Sequence, residues 1–153
     1  MTDPLQIYFR AATPEDVAFL ERLRRITMYR SVTNHYVWND EVQRQRVMAN
    51  YDSARIICAS GQGIGLFKVV YSPAEVYLDQ IQLLPAWQKK GIGTKLITML
   101  QQECAAGNLP ITLHVLRSNP ALALYERLGF NITRSDTHLH TMDWTSGPNI
   151  ASG

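Results

Sequence analysis

At the head of the chain Leu5, Ile7 and Phe9 alternate with Gln6, Tyr8 and Arg10, a period of two that predicts a short strand. The pattern then turns helical. Thr13 is a capping residue, Pro14 suits the first helical position, and Glu15 and Asp16 suit the positive helix end. Val17, Leu20, Leu23 and Met28 form the apolar stripe behind them, and a second helix is expected over about 40–51. Residues 55–58 read as a strand, Gly61-Gln62-Gly63 as a turn, and 64–71 as the next strand. Ser72-Pro73-Ala74 turns the chain again into 75–84. Strands joined by such short links are expected to pair antiparallel. From Gly91, residues Ile92, Leu96, Ile97, Leu100 and Cys104 recur at helical spacing until Gly107 and Pro110 stop them. A strand over 111–116, a short helix over 121–128 closed by Gly129, and strands over 130–134 and 139–144 complete the chain. The order βαα, βββ, αβαββ implies an α/β fold on a mixed sheet of about seven strands with about four helices.

Composition narrows the class. A chain of 153 residues fits one domain, expected over 1–145, with 146–153 too small and polar to pack and read as a flexible tail. Apolar residues at 46% argue against wholesale disorder. A net charge of +2 is too balanced to indicate a nucleic-acid or membrane-surface partner. No apolar run reaches the ~18–20 residues of a membrane span, and Met1-Thr2-Asp3-Pro4 lacks a leader's basic and apolar regions. Cys58 and Cys104 form neither a metal spacing nor a disulfide framework, so a reduced, cytoplasmic protein is expected.

The chemistry concentrates between Leu83 and Thr94, where a strand ends, a short loop follows and a helix begins among glycines. The first amides of a helix lack internal partners and carry partial positive charge, and small residues let a phosphate approach them. Lys89, Lys90 and Lys95, three of the four lysines, cluster here. The same pattern also describes an ordinary solvated helix start. A dinucleotide fingerprint fails because position 96 is Leu, and a P-loop is absent.

Gln88-x-x-Gly91-x-Gly93 resembles the pyrophosphate loop of the GNAT N-acetyltransferase superfamily, and Asn119 through Tyr125-Glu126 to Gly129-Phe130 resembles its second conserved segment, in the right order. Arg10 through Asp16 is similar to the family's opening. The resemblance implies a GNAT fold whose fourth and fifth strands splay around the cofactor, with acetyl-CoA as cosubstrate, no metal, and direct transfer to an amine in a ternary complex. It implies that backbone groups of Ile81 and Leu83 hold the pantetheine and the thioester carbonyl. It further implies that Gln88, Lys89, Lys90, Gly91, Ile92, Gly93 and Thr94 hold the pyrophosphate, and that Asn119 contacts the pantetheine arm. Tyr125 takes the role of general acid toward the departing thiolate. The family's base positions fall on Asp79 first, then His114, with Tyr77 or a water chain as alternatives. Strand alternation puts Tyr77, Asp79, Ile81 and Leu83 on one face. Each of these residues also has a plain structural use, in core packing or in sheet hydrogen bonds.

Three further groups are ambiguous. His138 and His140 have strand spacing but no evident third metal ligand. Arg22, Arg24, Arg25, Arg30, Arg44 and Arg46 read as a solvated helix face, or contain one arginine for a substrate carboxylate. Tyr29, His35, Tyr36 and Trp38 fit either a pocket wall or the core. The acceptor is expected to be a small-molecule or peptide amine, with homodimerisation possible. The competing reading is a module that senses acetyl-CoA without turnover.

Overall fold

The computed structural model describes residues 6–147. Leu5 and residues 148–153, which include most of the expected tail, lie outside the described residues. The elements run β1 (Ile7–Ala11), α1 (Val17–Thr33), α2 (Asp40–Met48), β2 (Ala54–Ala59), β3 (Gln62–Tyr71), β4 (Val76–Leu83), α3 (Ile92–Ala106), β5 (Ile111–Leu116), α4 (Ala121–Arg127), β6 (Asn131–Ser135) and β7 (Leu139–Trp144). Seven strands form one mixed sheet in the order β1-β2-β3-β4-β5-β7-β6. The pairs β1–β2, β2–β3, β5–β7 and β6–β7 are antiparallel, and β4–β5 is parallel. That last ladder is short, with Val76 opposite Ile111 and Tyr77 opposite Thr112 at the start of both strands.

Contacts divide the described chain into two compact units, residues 6–69 with 80–90, and 70–79 with 91–147. In the first unit Leu20 and Leu23 of α1, Val47 of α2 and Ala54, Ile56, Cys58 and Leu66 of the strands make one apolar cluster. The helix stripe and the strand alternation predicted from sequence meet there. In the second unit the buried side of α3 is Ile92, Leu96, Ile97, Leu100 and Cys104, the residues its period selects.

Three local expectations change. The second helix ends at Met48 rather than near 51, because Ala49 is extended and Asn50 is left-handed before a 3₁₀ turn over Tyr51–Ser53. The hairpin turn after β2 is Ser60-Gly61, not Gly61-Gln62-Gly63. Both residues have positive φ, 53° and 77°, which suits the twist of a two-residue hairpin, so Gln62 and Gly63 extend β3 instead. The sixth strand starts at Asn131, after buried Phe130. The last pair of strands is otherwise as expected.

Thr13 caps a short 3₁₀ turn, Pro14–Asp16, that leads into α1. Its backbone N–H donates to Asp16 Oδ2 at 2.8 Å, and the Arg10 guanidinium grips both carboxylate oxygens at 2.8 Å. The Arg10 hydrogen bonds hold the Asp16 carboxyl down at about 2 from its ordinary 3.8, against the opposing effect of burial. A depressed carboxyl stabilises the fold above its unfolded pKa and loses that contribution as pH falls through the folded one. Asp16→Asn is expected to cost about 1–3 kcal/mol at neutral pH. The deficit against the parent should shrink as pH falls from about 4 toward about 2, which urea unfolding across that range measures.

Candidate active site

The face of β4 is set by its pleat. Val76, Leu78, Gln80 and Gln82 are buried, while Tyr77, Asp79, Ile81 and Leu83 are each half-buried on the other side. The predicted one-faced row is therefore present. It continues in the second unit onto β5, where the His114 ring lies 5.6 Å from the Tyr77 ring and tilts 60° to it. His114 is exposed, and its Nδ1 sits 3.1 Å from Thr141 Oγ1 on β7. Two base candidates and Tyr77 thus share one polar face. Thr141 had no signal in the sequence, because β5 pairs with β7 rather than with β6.

In the first unit the Gln88 amide donates to the Leu83 carbonyl at 2.8 Å, tying the loop to the end of β4. Gly65 lies on β3 opposite this point. A Cβ there would run into the Gln82 carbonyl oxygen and crowd Leu83, so only glycine lets the two strands approach this closely. Sequence reading passed over Gly65 because its reason is a contact between strands.

Lys89 and Gly91 are both left-handed, with φ of 61° and 81°. Gly91 is the N-cap of α3 with no side-chain cap, and the first helical bond runs from Lys95 N to Gly91 O at 3.0 Å. The amides of Ile92, Gly93 and Thr94 therefore open the helix without helical acceptors. A Cβ on Gly91 would meet nothing within 4 Å, so the space beside this N-cap is open. Lys95 of α3 is exposed in the same unit, and Lys89 and Lys90, which precede Gly91 in the chain, are exposed as well. This arrangement fits a pyrophosphate. A Cβ on Gly93 would lie 3.6 Å from Leu124, so the start of α3 rests on α4, the helix that carries Tyr125.

Tyr125 is buried, its ring edge-on to Phe130 at 5.8 Å. Burial pushes its phenol up to about 12, so the hydroxyl keeps its proton throughout the neutral range. Asn119 Oδ1 accepts from the Ala121 amide at 2.9 Å, which fixes the entry to α4.

The remaining candidates separate. His140 Nδ1 pairs with Ser135 Oγ at 2.7 Å, and the His138 backbone N–H donates to Asp136. Arg24 departs from the solvated face expected for the arginines. It is 5% exposed and donates through Nε to buried Gln43 at 2.6 Å. A groove of about 370 Å³ between α1 and α2 is lined by Arg24, Gln43 and Trp38 among others. Arg25, also in its lining, stacks on Tyr29 and Trp38, 5.1 and 5.5 Å from their ring centres.

The family model of the acetyltransferase (GNAT) domain matches residues 43–132, more than half of the chain. The chain belongs to the GNAT acetyltransferase family. Mouse and human cysteine-rich protein 2-binding protein are each 41% identical to it over 56 residues, 37% of this chain and 7% of their own length. Among solved structures, PaiA N-acetyltransferase from Thermoplasma acidophilum in complex with coenzyme A is similar over 92% of this chain and 99% of its own, with a TM-score of 0.68 at 17% identity. Spermidine N-acetyltransferase from Vibrio cholerae, in complex with CoA and spermine, is similar over 92% and 95%, with a TM-score of 0.64 at 22% identity. Arabidopsis thaliana Naa50, in complex with the bisubstrate analogue CoA-Ac-MVNAL, is similar over 90% and 97%, with a TM-score of 0.64 at 18% identity. These likenesses carry the GNAT fold. Among the described residues, no helix is long and apolar enough to cross a membrane.

Three glycines make different stability predictions. Gly91→Ala should cost about 1 kcal/mol because of its positive φ. Gly93→Ala should be neutral or stabilising, since the helix gains and the new contact with Leu124 is ordinary. Gly65→Ala should be the most destabilising of the three. Thermal unfolding of the three variants checks the order.

Proposed function

We propose that the protein is an N-acetyltransferase that moves the acetyl group of acetyl-CoA to a primary amine of a small molecule or peptide, by direct attack in a ternary complex. The observation that carries this reading is the polar face of β4 and β5, where Tyr77 packs on an exposed His114 whose Nδ1 is already engaged. An oriented, exposed imidazole on this face supports an enzyme over a module that only binds acetyl-CoA. The spermidine acetylated by one structural neighbour and the bisubstrate analogue CoA-Ac-MVNAL bound to another support the breadth of the acceptor class.

His114 is the general base in this reading, and Asp79 holds the incoming ammonium. Position on the strand alone favours Asp79 as base. The hydrogen-bond contact at His114 Nδ1 and the Tyr77 ring beside it support His114 in this role. The ammonium gives one proton to His114, the amine so formed attacks the thioester carbon through its lone pair to make the C–N bond, and the nitrogen gives its second proton to solvent as the tetrahedral intermediate collapses. Backbone N–H groups near Ile81 and Leu83 stabilise the charge on the thioester oxygen. The C–S bond then breaks, and Tyr125 donates a hydrogen bond to the sulfur as charge develops there. A phenol at about 12 is a weaker acid than an ordinary thiol at ~8.5. Its part is therefore this hydrogen bond, and the thiolate takes its proton from solvent after release. Gln88 through Thr94 bind the pyrophosphate, with the lysines beside them adding long-range attraction, and Asn119 meets the pantetheine arm.

Two variants test the two halves of this site. Gly91→Glu puts a carboxylate into the open space beside the N-cap of α3 and should weaken coenzyme A binding by at least about tenfold. Calorimetry giving parental affinity in a folded variant would remove the cradle. Tyr125→Phe keeps the ring and should lower turnover about 10²-fold while cofactor affinity stays near the parent's. Parental turnover at saturating substrates would remove Tyr125 from the reaction.

A further inference from the structure

The hydrogen bond between His114 and Thr141 does more than fill a gap in the sheet. The two residues stand directly opposite each other in the β5–β7 ladder, so their side chains leave the same face. A neutral imidazole has one N–H and one lone pair, and the partner of one nitrogen decides where the other's proton is. The Thr141 hydroxyl lies at Nδ1, 3.1 Å away. The Tyr77 ring lies against the imidazole from β4. An exposed histidine with both contacts has little freedom to rotate.

We propose that Thr141 is a positioning residue for acetyl transfer: its Oγ1 accepts from Nδ1–H of His114, which puts the lone pair on Nε2, facing the incoming amine. The proposal rests on His114 being the base. An amine N–H bond breaks and an Nε2–H bond forms. The Nδ1–H···Oγ1 bond persists in the imidazolium, so the ring does not turn when it charges. The Nε2 proton then passes to solvent, and the starting tautomer returns. Were the hydroxyl to donate to Nδ1 instead, Nε2 would carry the proton and could not accept one. Thr141 is held in turn by the strand beyond it, because Thr133 Oγ1 donates to its carbonyl at 3.3 Å.

The test reads the tautomer and the turnover together, on the ¹⁵N-labelled full chain. In the parent, nitrogen–proton correlation spectra should show His114 with a protonated Nδ1 and a bare Nε2. Thr141→Val keeps shape and removes the acceptor. It should shift His114 toward the Nε2–H tautomer that histidine ordinarily prefers, and lower kcat about tenfold, the scale on which losing a histidine's orienting partner acts. KM for the amine and for acetyl-CoA should stay near the parent's values. Thr141→Ser should restore the parental tautomer and most of the lost turnover. The His140 signals, from the other histidine–hydroxyl pair, should not move. In a His114→Gln background Thr141→Val should have no further effect on kcat. A protonated Nε2 in the parent overturns the proposal. So does a loss of turnover in Thr141→Val without a change of tautomer, or parental turnover in that variant. His114→Gln with parental turnover would instead show that His114 is not the base, a failure of the underlying reading.

Discussion

The end of α2 is a polar hub that gathers a fully buried lysine of β3 and a glutamine of β4. Lys68 of β3 is 0% exposed, and its Nζ donates to the carbonyls of Ala49, Val47 and Arg46 at 2.6, 3.0 and 3.4 Å. Burying a charge costs several kcal/mol unless it is well paired. Here the partners are the last carbonyls of α2, where the helix dipole is negative and each charge-assisted bond contributes about 1.5–3 kcal/mol. The β4 side chain Gln80 donates to the Arg46 carbonyl at 3.1 Å, and Gln82 donates to Gln80. α2 buries only Gln43 and Val47 of its own residues, so these polar ties do much of the work of seating it. They also commit the even-numbered side of β4 to the interior. A slip of one residue would bury Asp79 and expose Gln80, exchanging the two faces. The odd-numbered side, with Tyr77 and Asp79, can then face outward and stay polar.

The second unit divides its chemistry between helix ends and strand faces. The opening of α3 has unpaired amides and a glycine N-cap, which suits anion binding and nothing that requires a proton to move. The face of β4 and β5 carries imidazole, phenol and carboxylate, which suits proton transfer. Tyr125 belongs to neither surface, because its burial keeps the phenol neutral and removes it as a base. Its hydroxyl keeps its proton in the neutral range and so can donate a hydrogen bond.

What was legible in the sequence was periodic or local. The α3 stripe, the cap at Thr13, the β4 alternation and the loop from Gln88 to Gly93 each depend on neighbours within a few positions. The turn at Ser60-Gly61 was displaced because Gly61 and Gly63 both signal a turn, and only the pairing register chooses between them. Lys68, Arg24 and the two glutamines were unreadable as buried groups. A polar residue is buried only when distant segments supply its partners, as Gln43 does for Arg24 across 19 residues. Gly65 and Thr141 were missed for the same reason, since each acts on a strand that is its neighbour only in the folded sheet.

The central claim is that the chain turns acetyl-CoA over at the expense of an amine. It is tested most directly by following free thiol and acetylated product together while a panel of amines, including spermidine and short peptides with free N-termini, is offered to the purified protein. The account predicts, for at least one class of amine, saturable thiol release matched one for one by acetylated amine. Tight binding of acetyl-CoA with no amine-dependent release across the panel would contradict it and leave a module that only senses the thioester.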